Sequence, residues 1–449
     1  MITAETSRDM VLGALEYLPD DYLTKPITPA MLQTRLNRIV IRHEDLLPIK
    51  QAIDDDDYDQ AIAQCQVKID NQGKYLSNYL RIQAELLFRQ KDYDAAQRIY
   101  ERSLKSSNPV WAQLGLGKSY LARQMFQEAE EKLQAVVDHD ERYVEAHDLL
   151  AEVFSQQADY ERSQQCMQNA AEVSPKSVLR QRRLANMAAQ NKDQTASLKA
   201  RRSALKVGEH SCYYSPQDYF DIVSELVQED ESDTPEMRDK KAKEANMYIK
   251  RAEKKHPHDK NIKLQATAAN SRLANYQHKD DDAESYLAKA KQLQAEGATE
   301  AYAQLEVAQA MGAAGDLEGA AGLIQDVAKQ NAHNEDISDR ADVLSEEPVS
   351  AKGRAIAADL TKKGIKLYEG KSYKESIDVF TRAISLFPNH IGLRLNIVQV
   401  ALAKIKDLGL SPEDKSTCLE HLDSISSLDE TSQQFARYQH LLKQVNNLS

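Results

Sequence analysis

Between Gln113 and Pro175 one set of side chains is written twice at a constant offset of 34 residues. Leu116, Gly117, Tyr120, Ala129, Leu133 and Val136 return as Leu150, Ala151, Phe154, Ser163, Met167 and Ala170. Within each copy the apolar residues recur at helical spacing in two runs, which reads as two helices joined by a short turn. Gly117 or Ala151 lets the second helix of each hairpin approach at Ala129 or Ser163, and Tyr120 or Phe154 fills the space beside the crossing. A unit that cannot bury its apolar face alone must stack on its neighbours. The expectation is therefore an all-α chain of stacked helical hairpins.

The period of 34, the small-residue crossing and the closing Pro175 resemble the tetratricopeptide repeat. The resemblance implies an α-solenoid of helical hairpins without a reaction centre of its own. It also removes the usual size limit on a domain, since such arrays grow by adding units. The array is expected over 41–210 as five hairpins. They are Leu46 to Lys68, Tyr79 to Leu104, the two units above, and Val178 to Gly208 with Leu184, Ala185, Ser197 and Ala204 in phase. Residues 211–345 read as divergent helical repeats, with Pro216 to Gln228 and Arg238 to Lys255 flanking an acidic loop at 229–236 that is expected to be mobile. Two hairpins follow, Lys260 to Gln294 and Thr299 to Gln330. Residues 346–349 and Ser350 read as a linker. The last segment, 346–449, repeats the signature as Gly364, Leu367, Tyr373, Ser376, Phe380, Ala383 and Pro388. It ends in three helices, near Ile391 to Asp407, Pro412 to Ser427 and Thr431 to Val445.

Residues 1–40 differ. They read as strand, helix (Ser7 to Tyr17), strand, helix, with Thr28 as a cap and Pro29 at the first helical position. That order belongs to a partial α/β fragment. Asp20-Asp21-Tyr22-Leu23-Thr24-Lys25-Pro26, with Thr3 ending the first strand, resembles the last third of a response-regulator receiver domain. The resemblance implies that Thr3 and Lys25 contact a phosphoryl group and that Tyr22 is the switch aromatic. The Lys25-Pro26 bond is a candidate cis peptide. A receiver's acidic pair and phosphoacceptor Asp would lie upstream of Met1. Two explanations stay open: an internal reading-frame start with a complete receiver, or a degenerate remnant. A histidine kinase is an expected partner only in the first case.

Charge and composition narrow the function. The net charge of −12 argues against general nucleic-acid binding, which needs Lys and Arg to neutralise phosphates. Cys65, Cys166, Cys212 and Cys418 follow no metal or CxxC spacing, and His256-Pro257-His258-Asp259 and His210-Ser211-Cys212 lack complementary ligands, so no metal and no cofactor are expected. The separated cysteines, the absence of an apolar run long enough to span a bilayer and the lack of a signal-type leader suggest a cytoplasmic protein. No nucleophile elbow or phosphate loop is present, and no enzyme is expected.

The resemblance to tetratricopeptide repeats implies a groove lined by the first helices. Its expected lining is Trp111, Leu114, Lys118 and Leu121, then Glu145, Asp148, Glu152 and Ser155, then Leu179, Arg182, Asn186 and Ala189. Trp111 is the one tryptophan and reads either as a binding anchor or as packing against the Tyr100 helix. Asp148 and Glu152 disfavour the carboxylate clamp by which some members of the family hold chaperone tails. The expected function is a non-catalytic protein- or peptide-binding module, the output half of a bacterial response-regulator-type phosphorelay protein. The alternatives are an RNA-associated regulator using the basic 176–206 stretch, or a scaffold unrelated to phosphorelay.

Overall fold

A computed structural model describes residues 1–4, 11, 20–157, 159–228, 233–426, 428, 430 and 432–448. The chain divides into two compact units, Met1–Tyr213 and Tyr214–Ser449.

The first unit opens with two short parallel strands, β1 (Ile2–Thr3) and β2 (Leu23–Thr24), with Ile2 opposite Leu23 and Thr3 opposite Thr24. The expected Ser7 to Tyr17 helix lies outside the described residues. The Lys25-Pro26 bond is cis. Helix α1 (Pro29–Asp54) starts where the sequence placed it: the Thr28 hydroxyl accepts from the Met31 amide at 3.2 Å and Pro29 occupies the first turn. It then runs without a break across residue 40, so the fragment and the first hairpin share one helix. Asp21 holds it by accepting from Arg38 at 2.8 Å and Arg35 at 3.3 Å.

The hairpins of this unit are α1 with α2 (Tyr58–Asp70), α3 (Leu76–Arg89) with α4 (Tyr93–Ser107), and α5 (Val110–Ala122) with α6 (Phe126–His139). They continue as α7 (Val144–Gln156) with α8 (Tyr160–Val173), and α9 (Val178–Gln190) with α10 (Gln194–Gly208). Four of their turns end in an aspartate cap, and the α5–α6 turn has Met125 there with no side-chain cap bond. The first helix ends in a left-handed residue such as Lys91, Gln124 or Lys192. The next amide reaches back to the helix, as Asp193 does to the Ala188 carbonyl at 2.8 Å. That same Asp then restarts the chain as a cap, its carboxylate accepting from the Ala196 amide at 3.0 Å. Asp57, Asp92 and Asp159 repeat the cap at 3.0, 3.0 and 3.1 Å.

The crossings follow the small-residue spacing. A side chain built at Gly117 would place its Cβ 2.7 Å from Leu133, so only hydrogen fits there. Ser163 takes the place of Ala129 and its hydroxyl bonds back across the crossing, donating to the Ala151 carbonyl at 2.7 Å, whereas the Ser197 hydroxyl one repeat on is buried without a partner.

The second unit holds α11 (Gln217–Leu226), α12 (Pro235–Lys255), α13 (Lys260–Tyr276), α14 (Asp280–Ala295), α15 (Ala301–Ala313) and α16 (Leu317–Gln330). A short helix α17 (Glu335–Leu344) follows, for which the sequence reading has no counterpart. Then come α18 (Ala351–Glu369), α19 (Tyr373–Leu386), α20 (Ile391–Leu408), α21 (Pro412–Asp423) and α22 (Phe435–Asn446). The crossing bond recurs: Ser271 donates to the Ala283 carbonyl and Ser376 to that of Gly364, both at 2.8 Å. The expected mobile loop at 229–236 is corrected at its described end. Asp233 is buried and accepts from Lys241 at 2.7 Å and from the Tyr276 hydroxyl at 2.9 Å, while Thr234 caps α12. Residues 349 and 350 are likewise held, because Asp342 accepts from the backbone amides of Val349 at 2.8 Å and Ser350 at 2.7 Å. Each unit is thus built as a tetratricopeptide-type α-solenoid, with the short strand pair at the start of the first.

Candidate functional site

The expected groove residues lie on α5, α7 and α9, and much of their chemistry is engaged within the first unit. Trp111 donates its indole N–H to Ser77 at 3.2 Å and meets the Tyr100 ring edge-on at 6.1 Å between centroids, which is packing. Leu114 is corrected outright. It is buried with Ala129, Leu133 and Leu150, because its place on α5 turns toward α7 and not toward solvent. Lys118 and Glu145 form an ion pair between α5 and α7. Asp148 accepts two bonds from Arg180, at 3.1 and 2.9 Å, and Glu152 lies 3.7 Å from Arg183. Arg182 donates to the Tyr213 carbonyl at 2.8 Å. Leu121, Ser155 and Ala189 are half-buried, whereas Asn186 and Leu179 are exposed. Successive first helices pack side by side, so opposite charges 27 to 32 residues apart on them close on each other.

The N-terminal trio is only partly assembled. The Lys25 amide donates to the Thr3 carbonyl at 2.7 Å, which brings both residues to one end of the strand pair; Tyr22 is half-buried beside them in sequence. The aspartates of the same stretch are engaged by α1, Asp20 accepting from Arg42 at 3.3 Å.

In the second unit the first helices are cross-bonded still more tightly. Gln265 donates to Gln217 at 2.8 Å, and Arg272 donates to Ser224 at 3.0 Å and to Glu306 at 2.6 Å. Tyr302 donates to Asp336 at 2.7 Å. Arg340, on α17, reaches Asp221 on α11 through two bonds of 2.8 and 3.1 Å. Burial acts against the Arg340 charge, but Asp221 and Asp336 outweigh it and raise its pKa. Burial and then Asp336 push the Tyr302 hydroxyl up to about 12. These groups satisfy one another and leave little for a ligand.

Beyond α17 the pattern changes. A cleft of about 900 Å³ lies along α18 and α20 and reaches Arg437 on α22. Its α18 wall is one helical face, from Arg354 through Ala358, Lys362, Ile365 and Lys366 to Glu369; the α20 wall carries Gly392, Leu393 and Asn396. Ile365 is 43% exposed although apolar. Among the described residues neither Lys362 nor Lys366 pairs with a carboxylate. Arg437 is fixed by donating to Asn396 at 2.7 Å and Gln399 at 2.8 Å. His390 lines the same cleft, its Nδ1 buried without a hydrogen-bond partner; burial lowers its pKa, with Glu347 opposing. The sequence reading missed this site, although Lys362, Lys366 and Ile365 on one face of a strongly signed hairpin were its visible signal. Among the described residues no three His, Cys, Asp or Glu side chains gather as a metal site, and no helix is long and apolar enough to cross a membrane.

No family model matches the chain, and no curated protein does. Among solved structures it is similar to the C-terminal part of a TPR repeat-containing protein from Cytophaga hutchinsonii, with 14% identity and a TM-score of 0.42 over 57% of this chain and 96% of that one. A tetratricopeptide repeat protein from Parabacteroides merdae aligns at 13% identity and TM-score 0.36, covering 59% and 96%. MamA from Desulfovibrio magneticus RS-1, residues 41 to the end, aligns at 18% identity and TM-score 0.32, covering 36% and 93%.

Proposed function

We propose that the chain is a non-catalytic protein-binding module whose partner occupies the cleft along α18 and α20. One observation carries the reading. Lys118, Arg180 and Arg272 on other first helices each pair with a carboxylate of a neighbouring hairpin, whereas two lysines here face an open cleft beside an exposed isoleucine and, among the described residues, pair with no carboxylate. An apolar surface with a few converging polar groups is the usual form of a binding site. The phosphorelay context expected from Thr3, Tyr22 and Lys25 has no support in these relationships, and the proposal stands without it. The RNA reading of 176–206 is likewise weakened, because Arg180, Arg182 and Arg183 bond groups of their own unit.

The test is partner capture from the native host by the full chain. Ala358→Trp fills the cleft at an exposed position and should abolish capture while the circular dichroism spectrum is unchanged; Arg182→Glu should leave capture intact. Retention of the partner by the Ala358→Trp chain would exclude the cleft.

A further inference from the structure

We infer that the cleft selects an extended acidic segment in which carboxylates alternate with aliphatic side chains, a deepening that rests on the cleft being the partner site. Three geometric facts point to it.

The α18 wall runs sixteen residues, fifteen steps, from Arg354 to Glu369. At 1.5 Å per residue that is about 22 Å, which an extended segment spans with about seven residues. Lys362 and Lys366 are one helical turn apart on that wall, about 6 Å along the axis. In an extended chain, side chains two residues apart lie on one side and are separated by about 6.6 Å. The lysines therefore match carboxylates at alternate positions, while adjacent carboxylates would point to opposite walls.

The intervening side chains face α20. There Gly392 leaves room beside Leu393, since a Cβ on it would already stand 3.3 Å from the His390 ring. Aliphatic groups fit that wall, while Ile365 lies between the two lysines on the α18 side. Arg437, held by Asn396 and Gln399, offers a third fixed cation at the α22 end. Glu347 and Glu369 bound the α18 face at its two ends. They repel an anionic segment that slips past either end and so set its register.

The experiment uses the full chain and seven-residue peptides with blocked termini, so that no terminal carboxylate contributes. One peptide alternates glutamate with leucine, a second alternates lysine with leucine, and a third has the composition of the first with its glutamates in one block. Fluorescence anisotropy should show the first binding at least tenfold tighter than the other two. Binding should weaken at least tenfold in K362E/K366E and fall as salt rises. Equal binding of the three peptides, or unchanged binding by K362E/K366E, overturns the inference. The two readings fail separately: if Ala358→Trp loses the native partner while the peptides show no charge preference, the cleft remains the site and the acidic selectivity is wrong.

Discussion

Arg272 donates to Glu306 at 2.6 Å across 34 residues, joining the same position on two successive first helices. Tyr302 with Asp336, Tyr373 with Asp407 and Tyr79 with Asp45 repeat that offset. The repeat length sets a contact distance: residues one period apart stand side by side and bond when their chemistry allows.

Glu306 is 2% exposed and Arg272 is the cation that neutralises it. Glu306→Leu leaves the guanidinium half of a buried pair uncompensated and should destabilise the second unit by about 3–5 kcal/mol. Glu306→Gln keeps an acceptor and should cost less. Urea unfolding of the two variants checks the order.

The crossing hydroxyls make a smaller contribution. Ser376→Ala removes the bond to the Gly364 carbonyl but installs the residue already used at Ala129. A loss of about 0.5–1.5 kcal/mol is expected in thermal unfolding. Ser163→Ala should behave alike, because its bond to Ala151 occupies the same place.

What the sequence made legible was the part governed by steric exclusion. Gly117, Ala129, Ala151 and Ser163 mark helix crossings, and a crossing tolerates only small side chains whatever surrounds it. Hairpin limits followed, as Thr28, Pro29 and the capping aspartates act on their own local backbone. The groove was not legible, because whether Lys118 or Asp148 is available depends on side chains of the next hairpin, Glu145 and Arg180, which stand at no fixed repeat offset from them. Leu114 failed for a related reason: its neighbours Ala146 and Leu150 belong to the next hairpin. Helix α17, ten residues long, carried too short a pattern to stand out, and Asp342 gave no sign that it would anchor 349 and 350.

Acid should loosen the first unit through Asp45. Partial burial favours its neutral form, but hydrogen bonds from Lys68 and Tyr79, together with the Lys68 charge, prevail and lower its pKa. A carboxyl with a depressed folded pKa stabilises the fold above its unfolded value, near 4, and that contribution is lost as pH falls through the folded value. Denaturation midpoints between pH 6 and pH 2.5 should therefore fall less steeply for Asp45→Asn than for the native chain. Tyr79 acts at the other extreme: burial, then Asp45, push its hydroxyl up to about 12, so its contribution is complete below about 10 and fades as pH rises from there toward 12.

Gly364 tests the crossing rule where the cleft is built. A Cβ at that position would stand 2.6 Å from the Phe380 ring, and the ring is itself buried among Ala357, Leu360 and Leu393 and cannot swing aside. Gly364→Val should therefore cost about 1–3 kcal/mol by overpacking. Phe380→Leu alone leaves a void and also costs stability, by about 1 kcal/mol or more. Combined, the larger residue on α18 occupies space vacated on α19, and the double variant should be more stable than the sum of the single losses, a coupling of about 0.5 kcal/mol or more. Strict additivity in the double-mutant cycle would mean that α18 and α19 do not meet at these two residues. Because α18 forms one wall of the cleft, the single Gly364→Val variant should also weaken binding of the glutamate–leucine peptide, and Phe380→Leu should restore part of it.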